Sequence, residues 1–156
     1  MPVLLDGAHN PAGVDALRTY LTGSTTPGRA RVFFSVMRDK DFLEVYRALR
    51  AITDDIVFID MSALFPRALP AAEFRAALSA ASDVPTPDGG RLREASLTFE
   101  GLEPLLRRVS GAENSVDYAV FCGSLFLLGE VIPLLLSHYQ GLEEFEELVA
   151  EKNLSF

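Results

Sequence analysis

Apolar residues recur along this chain in two rhythms that alternate from one end to the other. Val3 to Leu5, Arg31 to Met37, Ile56 to Ile59 and Tyr118 to Cys122 are short runs rich in aliphatic and aromatic side chains, the pattern of strands buried on both faces. A further short strand is expected within Arg93 to Leu97. Between these runs the apolar positions change to helical spacing: Val14, Leu17 and Leu21; then Phe42, Val45, Tyr46 and Leu49; then Phe74, Ala77 and Leu78; then Leu102, Leu105, Leu106 and Val109. Polar punctuation marks the ends. Asn10 suits a helix cap with Pro11 in the first turn, Gly23 stops that helix, Asp41 caps the next, and Pro70 opens the third. Ser24 to Arg29 reads as a turn, and Ser82 to Gly90, with two prolines and two glycines, as a surface loop. Leu125 to Leu136 is the most apolar stretch and reads as a core helix that Pro133 ends or kinks. Glu143 to Glu151 forms an acidic amphipathic tail with Phe145 and Leu148 available to dock.

Strands alternating with helices predict an α/β fold: a Rossmann-like three-layer αβα sandwich with a mostly parallel sheet and right-handed crossovers. With 156 residues, 49% of them hydrophobic, the chain suffices for one domain with a substantial core. A net charge of −8 without a basic cluster argues against a nucleic-acid surface, so anionic nucleotides must be held locally. The Leu125 to Leu136 run is shorter than the roughly 20 residues that cross a bilayer, which argues against a membrane role. A single cysteine, Cys122, within an apolar run suits a buried thiol in a reducing cytoplasm, and the chain start lacks a signal-peptide pattern. The Gly-rich dinucleotide fingerprint is missing after the first strand, which disfavours nicotinamide or flavin chemistry.

Candidate chemistry collects where strands end. Leu4 to Pro11 passes from strand to helix through Asp6, Gly7, Ala8, His9 and Asn10. The free amides and dipole of a helix starting there favour an anion, His9 can donate a proton, and Asp6 can orient a metal-bound water, a ribose or an ammonium. An ordinary capped turn with a surface histidine fits the same residues. After the second strand, Lys40 can neutralise a phosphate or carboxylate, with Asp39 and Asp41 beside it to hold an amine; a solvated helix cap is the plain alternative. After the strand ending at Cys122, Gly123 permits close backbone approach. Ser124 and the following amides can then accept an α-carboxylate, or Ser124 can serve as a simple N-cap. Arg67 reads as a surface or interdomain ion pair, and His138 is assigned no role. Ligands of open parallel sheets bind beyond the carboxyl ends of the strands, so the shared placement of these motifs predicts one rim.

The run Asp6-Gly7-Ala8-His9-Asn10-Pro11 resembles the hexapeptide opening the C-terminal domain of folylpolyglutamate and dihydrofolate synthases, of the Mur ligase superfamily. Phe34-Ser35-Val36-Met37 with Asp39-Lys40-Asp41, Pro66-Arg67-Ala68-Leu69, and Gly123 to Glu130 follow in matching order, and Gly7 leans toward the folate branch. The resemblance implies a fold of the Mur ligase C-terminal domain type and an ATP-dependent ligase. That enzyme would add L-glutamate to folate or dihydropteroate through an acyl phosphate. It implies catalytic roles for His9 and Asp6, nucleotide phosphate contacts from Asp6, His9 and Asn10, and glutamate contacts from Asp39, Lys40, Asp41 and Ser124. ATP and Mg²⁺ would be held mainly by an N-terminal ATP-binding domain carrying a phosphate-binding loop that this sequence lacks, and no metal ligand is assigned here.

The chain therefore reads as an isolated C-terminal domain, 1–156, inactive alone and prone to self-associate through apolar surface its partner would cover. Two other readings stay open: a stand-alone, non-catalytic binding or regulatory module, and a domain of a muramyl-peptide ligase taking a different amino acid.

Overall fold

The computed structural model describes residues 2–23, 28–81, 92–96 and 116–139. Five strands, β1 (Val3–Leu5), β2 (Ala30–Phe34), β3 (Ile56–Asp60), β4 (Leu92–Ser96) and β5 (Tyr118–Cys122), form one sheet in the order β1-β5-β2-β3-β4. Every pairing is parallel. Four helices are described: α1 (Pro11–Gly23), α2 (Phe42–Arg50), α3 (Ala71–Ala80) and α4 (Leu125–Tyr139). The expected loop at 82–90, the helix around 102–109 and the tail at 143–151 lie outside the described residues, as does most of the turn at 24–29.

Alternate side chains of the central strands serve two cores, as a pleated strand requires. Val32, Phe34, Ile56, Phe58 and Val120 pack with Val14 and Leu17 of α1, Val45, Tyr46 and Leu49 of α2, and Phe74 and Leu78 of α3. Phe33, Val57, Ile59, Ala119 and Phe121 pack with Leu127, Val131 and Leu135 of α4 on the opposite face. The sandwich is therefore αβα. Phe74 anchors the first core, stacking on Phe58 at 4.5 Å and meeting Tyr46 edge-on at 5.4 Å. A buried aromatic of this kind contributes about 2–3 kcal/mol.

Local chemistry explains the helix starts. Asn10 Oδ1 accepts the Gly13 N–H at 2.8 Å, and Asp41 Oδ1 accepts the Glu44 N–H at 3.2 Å. Pro70, at the start of α3, offers no capping side chain; Asp60, at the end of β3, reaches over and accepts the Ala71 N–H at 2.8 Å.

Three expectations change. The second strand ends at Phe34 rather than Met37, because Met37 turns away to form an antiparallel bridge with Ala68. Of the two outcomes expected at Pro133, an end is set aside, since the last helix runs on to Tyr139. Nor is that helix buried all round, since Leu125, Phe126 and Ile132 are exposed. Among the described residues no helix is long and apolar enough to cross a membrane.

Candidate functional site

Strand order creates the site. Connections β1-α1-β2, β2-α2-β3 and β3-α3-β4 all run over one face, whereas α4 leaves β5 over the other. Since β5 lies between β1 and β2, the chain departs in opposite directions from neighbouring strand ends. A crevice opens beyond the carboxyl ends of strands at such a switch.

Backbone hydrogen bonds bring the three strand-end turns together. Asp6 N–H donates to Phe121 O at 3.0 Å, Gly123 N–H to Ala8 O at 2.6 Å, and Ser35 N–H to Cys122 O at 3.4 Å. Gly123 has φ +94°, and a Cβ there would clash with the Ser35 carbonyl oxygen. Only glycine lets β2 and β5 close this tightly.

Around this junction each candidate side chain has a defined position. Asp6 accepts the Ala8 N–H on Oδ1 at 2.7 Å, which leaves its second carboxylate oxygen for a ligand. His9 Nδ1–H donates to Gly7 O at 2.8 Å, so in the neutral ring Nε2 carries the lone pair. Asn10 uses its carbonyl oxygen as the α1 cap and keeps its NH₂. These residues line one end of a groove of about 420 Å³ that continues along α1 past Gly13 and Leu17 to Tyr20. Tyr20, exposed at 61%, escaped the sequence reading; its spacing of seven from Gly13 was the available signal.

The segment after β2 is more tightly committed than its sequence suggests. Arg67, from the loop after β3, donates to Asp39 Oδ2 at 3.1 Å. That hydrogen bond, helped by the charges of Arg67 and Lys40, holds the Asp39 carboxyl below its ordinary value against a smaller opposing effect of burial. Asp41 caps α2. Lys40 is exposed, and its backbone N–H donates to Met37 O at 3.1 Å. Ser124 is 3% exposed and its Oγ accepts the Phe126 N–H at 3.2 Å, leaving its O–H as the remaining donor. Burial pushes the Cys122 thiol far up, with Asp6 adding to the effect, so this sulfur is an inert core group. Ser35 Oγ is buried beside Gly123 with no hydrogen-bond partner among the described residues, a feature without a signal in the local pattern.

His9 and Ser124 thus flank one bonded junction, while Lys40 stands on the turn that follows Ser35. The start of the 13-residue α1, an imidazole and an amide NH₂ together make a donor set of the kind that suits a phosphate. A metal site is another matter. Among the described residues no group of three or more His, Cys, Asp or Glu side chains gathers to hold an ion.

Comparison with known proteins places this architecture. The family described as Mur ligase, glutamate ligase domain matches residues 1–125. Dihydrofolate synthase/folylpolyglutamate synthase of Bacillus subtilis (strain 168) is 27% identical over 130 residues, covering 83% of this chain and 27% of that enzyme. The crystal structure of Mycobacterium tuberculosis folylpolyglutamate synthase complexed with ADP and AMPPCP matches with a TM-score of 0.64 and 30% identity, over 85% of this chain and 29% of that one. A bifunctional folylpolyglutamate synthase/dihydrofolate synthase with Mn, AMPPNP and L-glutamate bound matches with a TM-score of 0.63 and 22% identity, over 86% and 29%. The chain spans less than a third of the length of each of these relatives.

Proposed function

Because this chain belongs to the family of Mur ligase glutamate ligase domains, we propose that it supplies one wall of an interdomain active site adding L-glutamate to folate or dihydropteroate. An N-terminal ATP-binding domain would supply the other wall, the ATP triphosphate grip and the principal Mg²⁺ ligands. The observation that carries the reading is the bonded junction of the turns after β1, β2 and β5, which sets Asp6, His9 and Ser124 on one rim.

The reaction has two steps. A carboxylate oxygen of the pterin substrate bonds to the γ-phosphorus as the bond to the bridging oxygen breaks and ADP leaves. The glutamate amine then attacks the acyl carbon, gives up a proton, and phosphate departs. Nucleotide and Mg²⁺ provide the phosphoryl donor and its charge neutralisation. This chain's residues have separate work. His9, fixed through Nδ1, presents Nε2 to a phosphate oxygen, as a donor when the ring is protonated. Asp6 offers its remaining carboxylate oxygen to a ribose hydroxyl or a metal-bound water, and the Asn10 NH₂ adds a donor beside the α1 start. On the other side of the junction, Lys40 and the Ser124 O–H receive the glutamate carboxylates. Asp39 and Asp41 act by fixing the Lys40 turn, since both carboxylates already have partners within the chain.

Holding reactants in register is worth many orders of magnitude, so the chain alone is expected to show no turnover. The test joins it to the N-terminal ATP-binding domain of a folylpolyglutamate synthase and measures glutamate-dependent phosphate release. His9→Ala and Lys40→Ala should each lower kcat/KM by about 100-fold, the usual loss for one electrostatic partner of a reacting group. Full activity in both variants would overturn the assignment, and a preference for another amino acid would move the substrate away from glutamate.

A further inference from the structure

The turn that carries Lys40 is surrounded by charge. Arg38 grips Glu73 of α3 in a two-pronged contact at 3.1 and 2.7 Å. Asp41 caps α2, whose first turn also holds Glu44. Asp39 is taken by Arg67 at 3.1 Å. Lys40 alone of this group has no hydrogen-bond or ion-pair partner for its side chain among the described residues.

That outcome is not what the sequence alone would produce. An ammonium between two aspartates in one turn has a carboxylate on either side, and a neighbouring anion weakens its hold on a substrate anion. Asp41 is turned into its helix start, which removes one. Arg67 removes the other. The guanidinium arrives on a backbone already docked to the turn: Arg38 N–H donates to Arg67 O at 2.9 Å, and Met37 bridges Ala68. Its planar donor array is thereby delivered to the carboxylate with little further ordering.

We propose that Arg67 is a positioning residue that occupies the Asp39 carboxylate and so leaves the Lys40 ammonium free to receive a substrate carboxylate. The inference rests on the glutamate placement of the previous subsection, but the competition between Arg67 and Lys40 for Asp39 is a property of the chain itself.

Two measurements on the full chain separate the ideas. The first follows the Asp39 carboxyl by NMR across pH in the wild type, R67A, K40M and R67A/K40M. With Arg67 present, K40M should barely move the Asp39 midpoint; with Arg67 absent, it should raise the midpoint by a few tenths of a pH unit, because Lys40 has then taken over the carboxylate. An equal effect of K40M in both backgrounds would overturn the proposal. The second titrates L-glutamate against Lys40 side-chain resonances. R67A should weaken binding about threefold, and R67A/D39N should recover it, since the competing carboxylate is neutralised. A purely structural ion pair predicts the reverse, with R67A/D39N no tighter than R67A, and that result would overturn the role. No response to L-glutamate in any protein, together with the expected Asp39 coupling, would remove the glutamate placement and leave the Arg67 role standing.

Discussion

The two ends of the sheet both carry charge, and they use it in opposite ways. At the amino end Arg31 and Asp55 form a buried ion pair at 3.0 Å, with side chains only 3% and 12% exposed. Thr53 completes the arrangement, donating to Ala30 O at 2.7 Å while accepting the Asp55 N–H at 3.1 Å. These bonds knit β2 to the start of β3. At the carboxyl end, Asp6 and His9, which line the groove, each give one atom to the backbone and keep a second without a partner among the described residues. Counting charges would not tell the ends apart. What differs is unused bonding capacity, which is low where charge supports the fold and retained where it meets a ligand.

The contrast can be broken from either side. Asp55→Ala should be the most costly change, about 3–5 kcal/mol in urea denaturation, because it takes a carboxylate away from a buried guanidinium. A loss below about 1 kcal/mol would mean that the amino end is wetter than its burial indicates. Gly123→Ala should follow at about 2–4 kcal/mol, from a side chain at positive φ and a collision with the Ser35 carbonyl. It should also shift the amide resonances of Ala8, Ser35 and Ser124 together; a shift confined to Ser124 would show the junction to be looser than its hydrogen bonds imply.

Asp60→Ala should cost least, about 1 kcal/mol at neutral pH, the usual worth of a helix cap. Burial acts to raise the Asp60 carboxyl, but hydrogen bonds from the Ala71 N–H and from the Ser62 O–H and N–H outweigh it and leave it below its ordinary value. A carboxyl depressed in the folded state stabilises above its unfolded pKa of about 3.9 and loses that contribution as pH falls through the folded value. The gap between Asp60→Ala and the wild type should therefore narrow in acid below about pH 4. A gap independent of pH would show that the charge of Asp60 does not matter.

Local pattern carried most of the described elements. The helical spacing of Phe42, Val45, Tyr46 and Leu49 and the Asp41 cap set α2, and the run Tyr118 to Cys122 set β5, because one segment contains the whole signal in each case. Long-range partnership was not legible. Nothing in Asp39-Lys40-Asp41 announces that Arg67, 28 residues away, will claim the first carboxylate. The early end of β2 has the same cause, since Met37 finds Ala68 rather than continuing the ladder. Local pattern left an end or a kink open at Pro133; the helix continues, because one held on one face by Leu127, Val131 and Leu135 can tolerate the lost hydrogen bond. The motif residues themselves were visible from the start. Their division of labour was not, because a carboxylate that caps or pairs looks the same in one dimension as one that waits for a ligand.

β5 stands next to the β1 edge of the sheet yet is the last of the described strands, and it is the strand to which both β1 and β2 are bonded. On a ribosome, residues 3–5 emerge more than a hundred residues before their neighbour exists. The His9 turn must wait, unmoored, until the segment 118–123 is made and slots into place. Completion of the rim is thus a late event in this domain's biogenesis, and any early termination upstream of Tyr118 would yield a product with three helices made and the strand that joins its turns missing.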